Sequence, residues 1–261
     1  MKPTRNASRP VAPKCWSRFS GGEHVASGVW LDQAVSLSQT LYRYVQWEPY
    51  GRKHLDDGKL YFASPARWPD PYERWWCEEL FRAGSKLATV SAYAMCTTTS
   101  WGDEPYWRMY DHSGTIPVVR FATTVGRLVS VLSDYVESRA AKAYIGKVMY
   151  HPGLDLQREA ARLRQLSADA QLARHVAHAL MLKRTAFTFE SEHRAVLLDR
   201  SGKQEARFLD FKPSELYTSA VIGPSVKKPE ERALRAALAK HGFSEDRVRC
   251  SSIYRAPNVK R

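Results

Sequence analysis

The chain has 261 residues, with 40 Lys and Arg against 27 Asp and Glu and a formal charge of +13, so it presents a positive field suited to polyanions such as nucleic acid, nucleotides or acidic protein surfaces. No apolar run reaches membrane-spanning length, and the first residues, MKPTRNASRPVAPKC, lack the apolar core of a secretory signal. The cysteines Cys15, Cys77, Cys96 and Cys250 form neither a Cys-x-x-Cys pair nor zinc-finger spacing with the histidines, so the expectation is a soluble protein of the reducing cytoplasm with no membrane partner.

Residues 1–24 are rich in Pro, Ser, Gly and Arg without a sustained period, which predicts a flexible basic arm before a single domain over 25–261. Val29, Leu31, Val35 and Leu37 allow a short helix, and the alternating aromatic and β-branched residues of TLYRYVQW predict a strand over 41–47. Asp57-Gly58 is a turn, KLYFAS a short strand, and the spacing of Pro65, Pro69 and Pro71 predicts an extended loop. TVSAYAMCTTTSW and IPVVRFATT read as strands, and residues 125–143 carry the apolar stripe of a helix at Leu128, Val131, Leu132 and Tyr135. AYIGKVMYH returns to strand, and residues 154–184, rich in Ala, Leu, Arg and Gln, read as helix with a break near Ser167. A strand is expected over 187–198, turned by DRSGK, followed by the strands RFLDF, SAVIGP and VRCSSIY. KPEERALRAALAKHGF forms a helix with Pro at its start and Gly past its end. Short strands mixed with helices, without regular βαβ alternation, predict an α+β fold of mixed, mainly antiparallel short-stranded sheets.

The chemistry concentrates in FTFESEHRAVLL. On a strand, residues two apart share a face, so Glu190, Glu192 and Arg194 are expected to project together. Two carboxylates this close repel, and an arginine on the same face relieves them. Such a pair suits a reaction that develops positive charge on a sugar carbon. Arg43, on a strand between Tyr42 and Tyr44, offers a donor fork for a phosphate or carboxylate, and the hydroxyls Thr97, Thr98, Thr99 and Ser100 stand at a strand end where they can hold a ribose or the backbone.

The succession LYRY, DGKLYFASPARWPDPYE, MCTTTSWGDEPYWRMY, GKVMYH, FTFESEHR and IGP, over roughly residues 40–225, resembles the bacterial domain-of-unknown-function family 2971. Tyr42, Arg43 and Tyr44 fall on its first motif, Asp70, Pro71 and Glu73 on the second, and Cys96 and Thr98 on the third. Trp107 and Tyr110 fall on the fourth, and Glu190, Glu192 and Arg194 on the last. Pro69 stands where that family usually has Asn, Tyr72 where it has Phe, and Thr97-Thr98 where it has Phe-Ser.

The order of motifs also resembles the Arg, Ser-Thr-Ser, Glu-x-Glu layout of ADP-ribosyltransferases. That resemblance implies an ADP-ribosyltransferase-like core with NAD as substrate in a cleft, and a bacterial toxin or phage-defence effector that modifies a protein or nucleic-acid acceptor and is matched by an inhibitor partner. It places Arg43 on the NAD phosphates or ribose, flanked by Tyr42 and Tyr44, and gives Thr98 the bracing of the first strand and of the nicotinamide ribose. Tyr110 or Trp107 would stack on nicotinamide, Glu192 would be the catalytic carboxylate, and Glu190 would activate the acceptor. No metal is needed for that chemistry. Two other readings stay open: a basic nucleic-acid-binding protein without catalysis, and a nuclease that holds Mg²⁺ through Glu190, Glu192 and Asp70.

Overall fold

A computed structural model describes residues 23–26, 28–81, 90–139, 141–163, 172–199 and 204–255. The basic arm expected over residues 1–24 lies outside the described residues up to position 22, as do the expected helix break near Ser167 and the turn after Asp199; Glu23 and His24 begin the first strand.

Mixed α/β structure is organised on one mainly antiparallel sheet. Its backbone is β10 (Glu192–Asp199), which pairs antiparallel on one side with β5 (Ser91–Thr98) and on the other with β7 (Lys142–Lys147). Beyond β7 lie β2 (Val29–Leu31), in parallel, and β1 (Glu23–Ala26). Beyond β5 come β3 (Thr40–Gln46), β6 (Val118–Thr124), β12 (Tyr217–Ile222) and, in parallel, β13 (Val248–Cys250). β3 touches β5 at a single ladder position, Tyr42 opposite Thr98, because β5 also pairs at Ala94 with β4 (Lys59–Ala63), which carries β11 (Ala206–Asp210). The sheet therefore forks beside Thr98. A two-stranded parallel ladder, β8 (Met149–His151) with β9 (Leu182–Arg184), stands apart from it.

Helices cover both faces. Main-core residues of β3, β5, β6 and β10, among them Leu41, Met95, Phe121 and Leu197, pack with Leu128, Leu132 and Val136 of one long helix (Val125–Arg139) and with Leu234 and Leu238 of a C-terminal helix (Lys228–Lys240). Each such side chain stabilises the fold by about 2 kcal/mol when fully buried. On the opposite face Ala94, Val196 and Leu198 pack against Trp76, Cys77 and Leu80 and against Val176, Ala177 and Ala179. In chain order the helices are α1 (Arg52–Asp56), α2 (Pro71–Leu80), α3 (Glu104–Tyr110), α4 (Val125–Arg139), α5 (Gly153–Leu163), α6 (Leu172–Ala179), α7 (Pro213–Leu216) and α8 (Lys228–Lys240). Among the described residues no helix is long and apolar enough to cross a membrane.

Four local expectations are corrected. Residues 29–31 are strand rather than helix, because they extend the sheet beside β7. The proline-spaced segment does not stay extended: Pro71 takes the first turn of α2, where its missing N–H costs nothing, and Asp70 caps it by accepting from the Tyr72 N–H at 2.9 Å. Residues 182–184 leave the expected helix to pair with β8. Most consequential is the 187–198 segment, where residues 185–190 form a 3₁₀ turn, Ser191 is left-handed at φ 42°, and the strand begins only at Glu192.

Candidate active site

Two rules of strand geometry sort the expected site residues. Paired residues on neighbouring strands share a face, and successive residues alternate. Glu192 is opposite Thr98, Thr98 is opposite Tyr42, and Arg194 is opposite Cys96, so these five look out from one face of the sheet. Arg43 is opposite Phe121 and looks the other way, into the main core. Its guanidinium donates to the Met95 thioether at 3.7 Å and lies beside the Tyr217 hydroxyl. Arg43 and Glu192 therefore start from opposite faces of the sheet, although both line one cleft. Arg43 borders the cleft only where the sheet forks.

That cleft, about 540 Å³, is lined by Tyr42, Arg43, Tyr44, Thr98, Tyr110, Glu190 and Glu192, and also by Glu73, Cys96, Lys183, Arg184 and Phe187. Trp107 is not among its walls; it is buried, edge-on to Tyr44 at 4.9 Å, and belongs to the aromatic cluster beneath α3. Tyr44 is buried as well and forms a back wall, whereas Tyr42 and Tyr110 are partly exposed to the cleft.

At the floor, three carboxylates face two cations. Arg194, fully enclosed, grips Glu192 with two hydrogen bonds, Nε to Oε1 at 2.8 Å and Nη2 to Oε2 at 3.0 Å. It also reaches Glu73 from α2, donates to the Leu180 carbonyl and stacks over Trp68 at 4.2 Å. Lys183 Nζ stands 3.1 Å from Glu192, 3.6 Å from Glu73 and 2.5 Å from Glu190. Glu190 and Glu192 thus converge, but through Lys183 and the left-handed Ser191 rather than through a shared strand face.

Their environments push the two apart. Burial would raise the Glu192 carboxyl, but the Arg194 charge and hydrogen bonds, with Lys183, outweigh it and hold the group at about 2. Glu192 is a locked anion with both oxygens engaged. For Glu190 burial wins: its carboxyl is raised although Lys183 opposes the rise. Burial would also lower the Lys183 ammonium, yet Glu192 and Glu73 raise it overall and keep it charged. Of the two, Glu190 is the carboxylate with an oxygen not gripped by Arg194 and with a raised pKa.

The Glu190 turn is pinned through its backbone. Thr98 Oγ1 donates to the Glu190 carbonyl at 2.8 Å and Tyr106 donates to the same oxygen, while Thr98 Oγ1 accepts from the Ser100 N–H at 2.9 Å. The Thr98 hydroxyl spends its one donor on this brace. Tyr150 accepts from the Glu192 N–H at 2.9 Å and fixes the start of the strand.

Asp70 does not join the carboxylates. It pairs with Arg184 at the cleft rim, Nη2 to Oδ1 at 2.9 Å and to Oδ2 at 3.1 Å, so the Mg²⁺ set of Glu190, Glu192 and Asp70 does not gather. Lys183 fills the point where the three glutamates meet. Among the described residues no group of three or more His, Cys, Asp or Glu is arranged to hold a metal ion.

Sequence reasoning found Arg194 but missed Lys183, Arg184, Tyr106 and Tyr150. Lys183 and Arg184 stood at the end of an apparent helix, and a buried lysine carries no local pattern. No protein-family model, no curated protein and no solved structure matches the chain.

Proposed function

We propose that this cleft carries out glycosyl transfer from NAD, an ADP-ribosyltransferase-type reaction, with Glu190 as the carboxylate that faces the reacting sugar. The observation behind the proposal is a cluster of carboxylates: in a cleft whose acidic and basic side chains otherwise balance, Glu73, Glu190 and Glu192 gather at one point of the floor around Lys183 and Arg194. Carboxylates fixed close together at one point of a recess favour a transition state that becomes positive beside them. In the reaction the bond from C1′ of the nicotinamide ribose to nitrogen breaks and nicotinamide leaves with the electron pair. The cationic sugar carbon is stabilised by the carboxylates, and the acceptor nucleophile bonds to C1′ as its proton passes to Glu190. The raised carboxyl of Glu190 suits that proton transfer.

The remaining roles follow from position. Tyr42, Tyr110 and Phe187 offer rings for nicotinamide, and Arg184 at the rim is the cation for the diphosphate. Glu192 acts through Glu190, as the fixed charge beside it and the partner that holds Lys183 in place. The test is nicotinamide release from NAD, with Glu190→Gln compared against the unaltered protein. Glu190→Gln lowers the rate at least about 100-fold, the range of a lost general base, with its unfolding transition retained. Undiminished release by that variant would remove Glu190 from the reaction. No release by the unaltered protein, with every acceptor class supplied, would remove the reaction itself.

A further inference from the structure

Next to the cleft, and sharing Tyr42 with it, a groove of about 710 Å³ runs over β6, β12 and β13. At its floor is Arg120, opposite Tyr44 in the β3–β6 ladder and therefore on the same sheet face as the cleft. Arg120 is only 7% exposed. No carboxylate pairs with it among the described residues; its guanidinium meets the Tyr44 hydroxyl, and its Nε has no hydrogen-bond partner. The other deeply buried arginines differ: Arg194 has Glu192 and Glu73, and Arg207 has Asp199. A buried charge without a counter-ion is costly, and a ligand anion would relieve it.

What surrounds Arg120 indicates which anion. Its guanidinium lies 4.7 Å from the Tyr42 ring centre and 5.8 Å from that of Trp101. Trp101 is 70% exposed, an indole held over the groove rather than in the core. Arg249 on β13 is exposed along the far wall, with Ser251 and Ser252 beyond it. The lining stays cationic because Arg120, Arg247 and Arg249 outnumber its acidic residues, Asp103 and Asp246.

A buried cation flanked by an exposed ring, with further cations along an open groove, is the pattern that binds a nucleotide: phosphate on the guanidinium, base on the indole. We propose that the groove is a binding site for single-stranded nucleic acid, with a phosphodiester on Arg120, a base on Trp101 and a neighbouring phosphate on Arg249. The separate cations Arg120 and Arg249 along the groove, with the charge of +13, favour a strand over a free nucleotide. The site stands independently of the transfer chemistry, because a strand binds there whether or not NAD is consumed.

The experiment is fluorescence anisotropy of a dye-labelled single strand of about 12 nucleotides, within the usual site sizes, titrated with the full chain in the absence of NAD. Trp101→Ala and Arg120→Gln each weaken binding about tenfold, and Arg249→Ala reduces the slope of log affinity against log salt by about 0.7, the value for one single-strand phosphate. Trp101 and Arg249 are exposed, so their variants keep the fold; Arg120→Gln is read beside its own unfolding transition. Unchanged affinity in the Trp101 and Arg249 variants would overturn the proposal. So would an unaltered protein that fails to bind the strand, or one from which AMP or NAD displaces the strand at equal concentration, which would make the groove a free-nucleotide site.

Discussion

Replacing Lys183 by Met removes, among the described residues, the one cation that touches all three glutamates, the buried Glu73 and Glu192 and the half-buried Glu190. Glu73, Glu190 and Glu192 are then left against Arg194 alone, and Arg194 reaches only two of them. Breaking a buried ion pair from one side costs about 3 to 5 kcal/mol, and a lost attraction at about 4 Å in a medium of effective dielectric about 20 gives a similar figure, about 4 kcal/mol. The variant has one cheap relief, which is to protonate Glu190, already raised by burial. A carboxyl whose folded pKa lies above its unfolded value contributes stability that is complete below the unfolded pKa and is lost as pH rises through the folded one. The deficit of Lys183→Met is therefore largest at pH 8 and shrinks towards pH 5. Urea unfolding followed by circular dichroism at both pH values measures it, with Lys183→Arg as the charge-preserving control. A deficit under about 1 kcal/mol, or one equal at both pH values, would refute the account of the cluster.

His54 predicts a second pH dependence, away from the cleft. Its Nδ1 donates to the Lys59 carbonyl at 2.7 Å and its Nε2 accepts from the Tyr217 hydroxyl at 2.6 Å; burial, aided by Arg43, lowers its pKa to about 3. The unfolded chain takes up this proton near 6.5 and the folded one does not. At pH 4.5 the protein therefore loses about 3 kcal/mol relative to pH 7 at this site, and His54→Phe flattens that limb in the same unfolding assay. An unchanged slope between pH 7 and 4.5 would contradict it. Cys96 is the one β5 residue exposed to the cleft, and its thiol is raised well above the ordinary range by the enclosing protein and by Glu192. Iodoacetamide therefore labels it slowly at pH 7.5, and saturating NAD slows labelling further; mass spectrometry showing equal labelling with and without NAD would separate NAD from this cleft.

Much of the sheet was legible because its strands alternate or carry β-branched and aromatic residues. TLYRYVQ, SAYAMCTT and VVRFATT all form strands within three residues of expectation, and the Pro and Gly of KPEERALRAALAKHGF bracket α8 as read. The site was less legible, for reasons of geometry. Period two was applied to Glu190 and Glu192, but a left-handed Ser191 between them has no sequence signature, since Gly is the residue that marks such positions. Arg43 stood between two tyrosines, Tyr42 and Tyr44, that both lie on the cleft side of the strand, and the same alternation that places them there turns Arg43 away. Asp70-Pro71 was a helix start read as loop because the neighbouring prolines dominated the pattern. Lys183 lay in a stretch of strong helix formers, where pairing with Tyr150 of β8 overrode propensity.

The most direct measurement is a crystal structure of the protein soaked with NAD. The account predicts the nicotinamide ring between Tyr42, Tyr110 and Phe187, with C1′ of its ribose facing the Glu190 carboxylate and Glu192 still held by Arg194 and Lys183. NAD seated on Arg120 in the neighbouring groove, or a cleft left empty at saturating NAD, would contradict it.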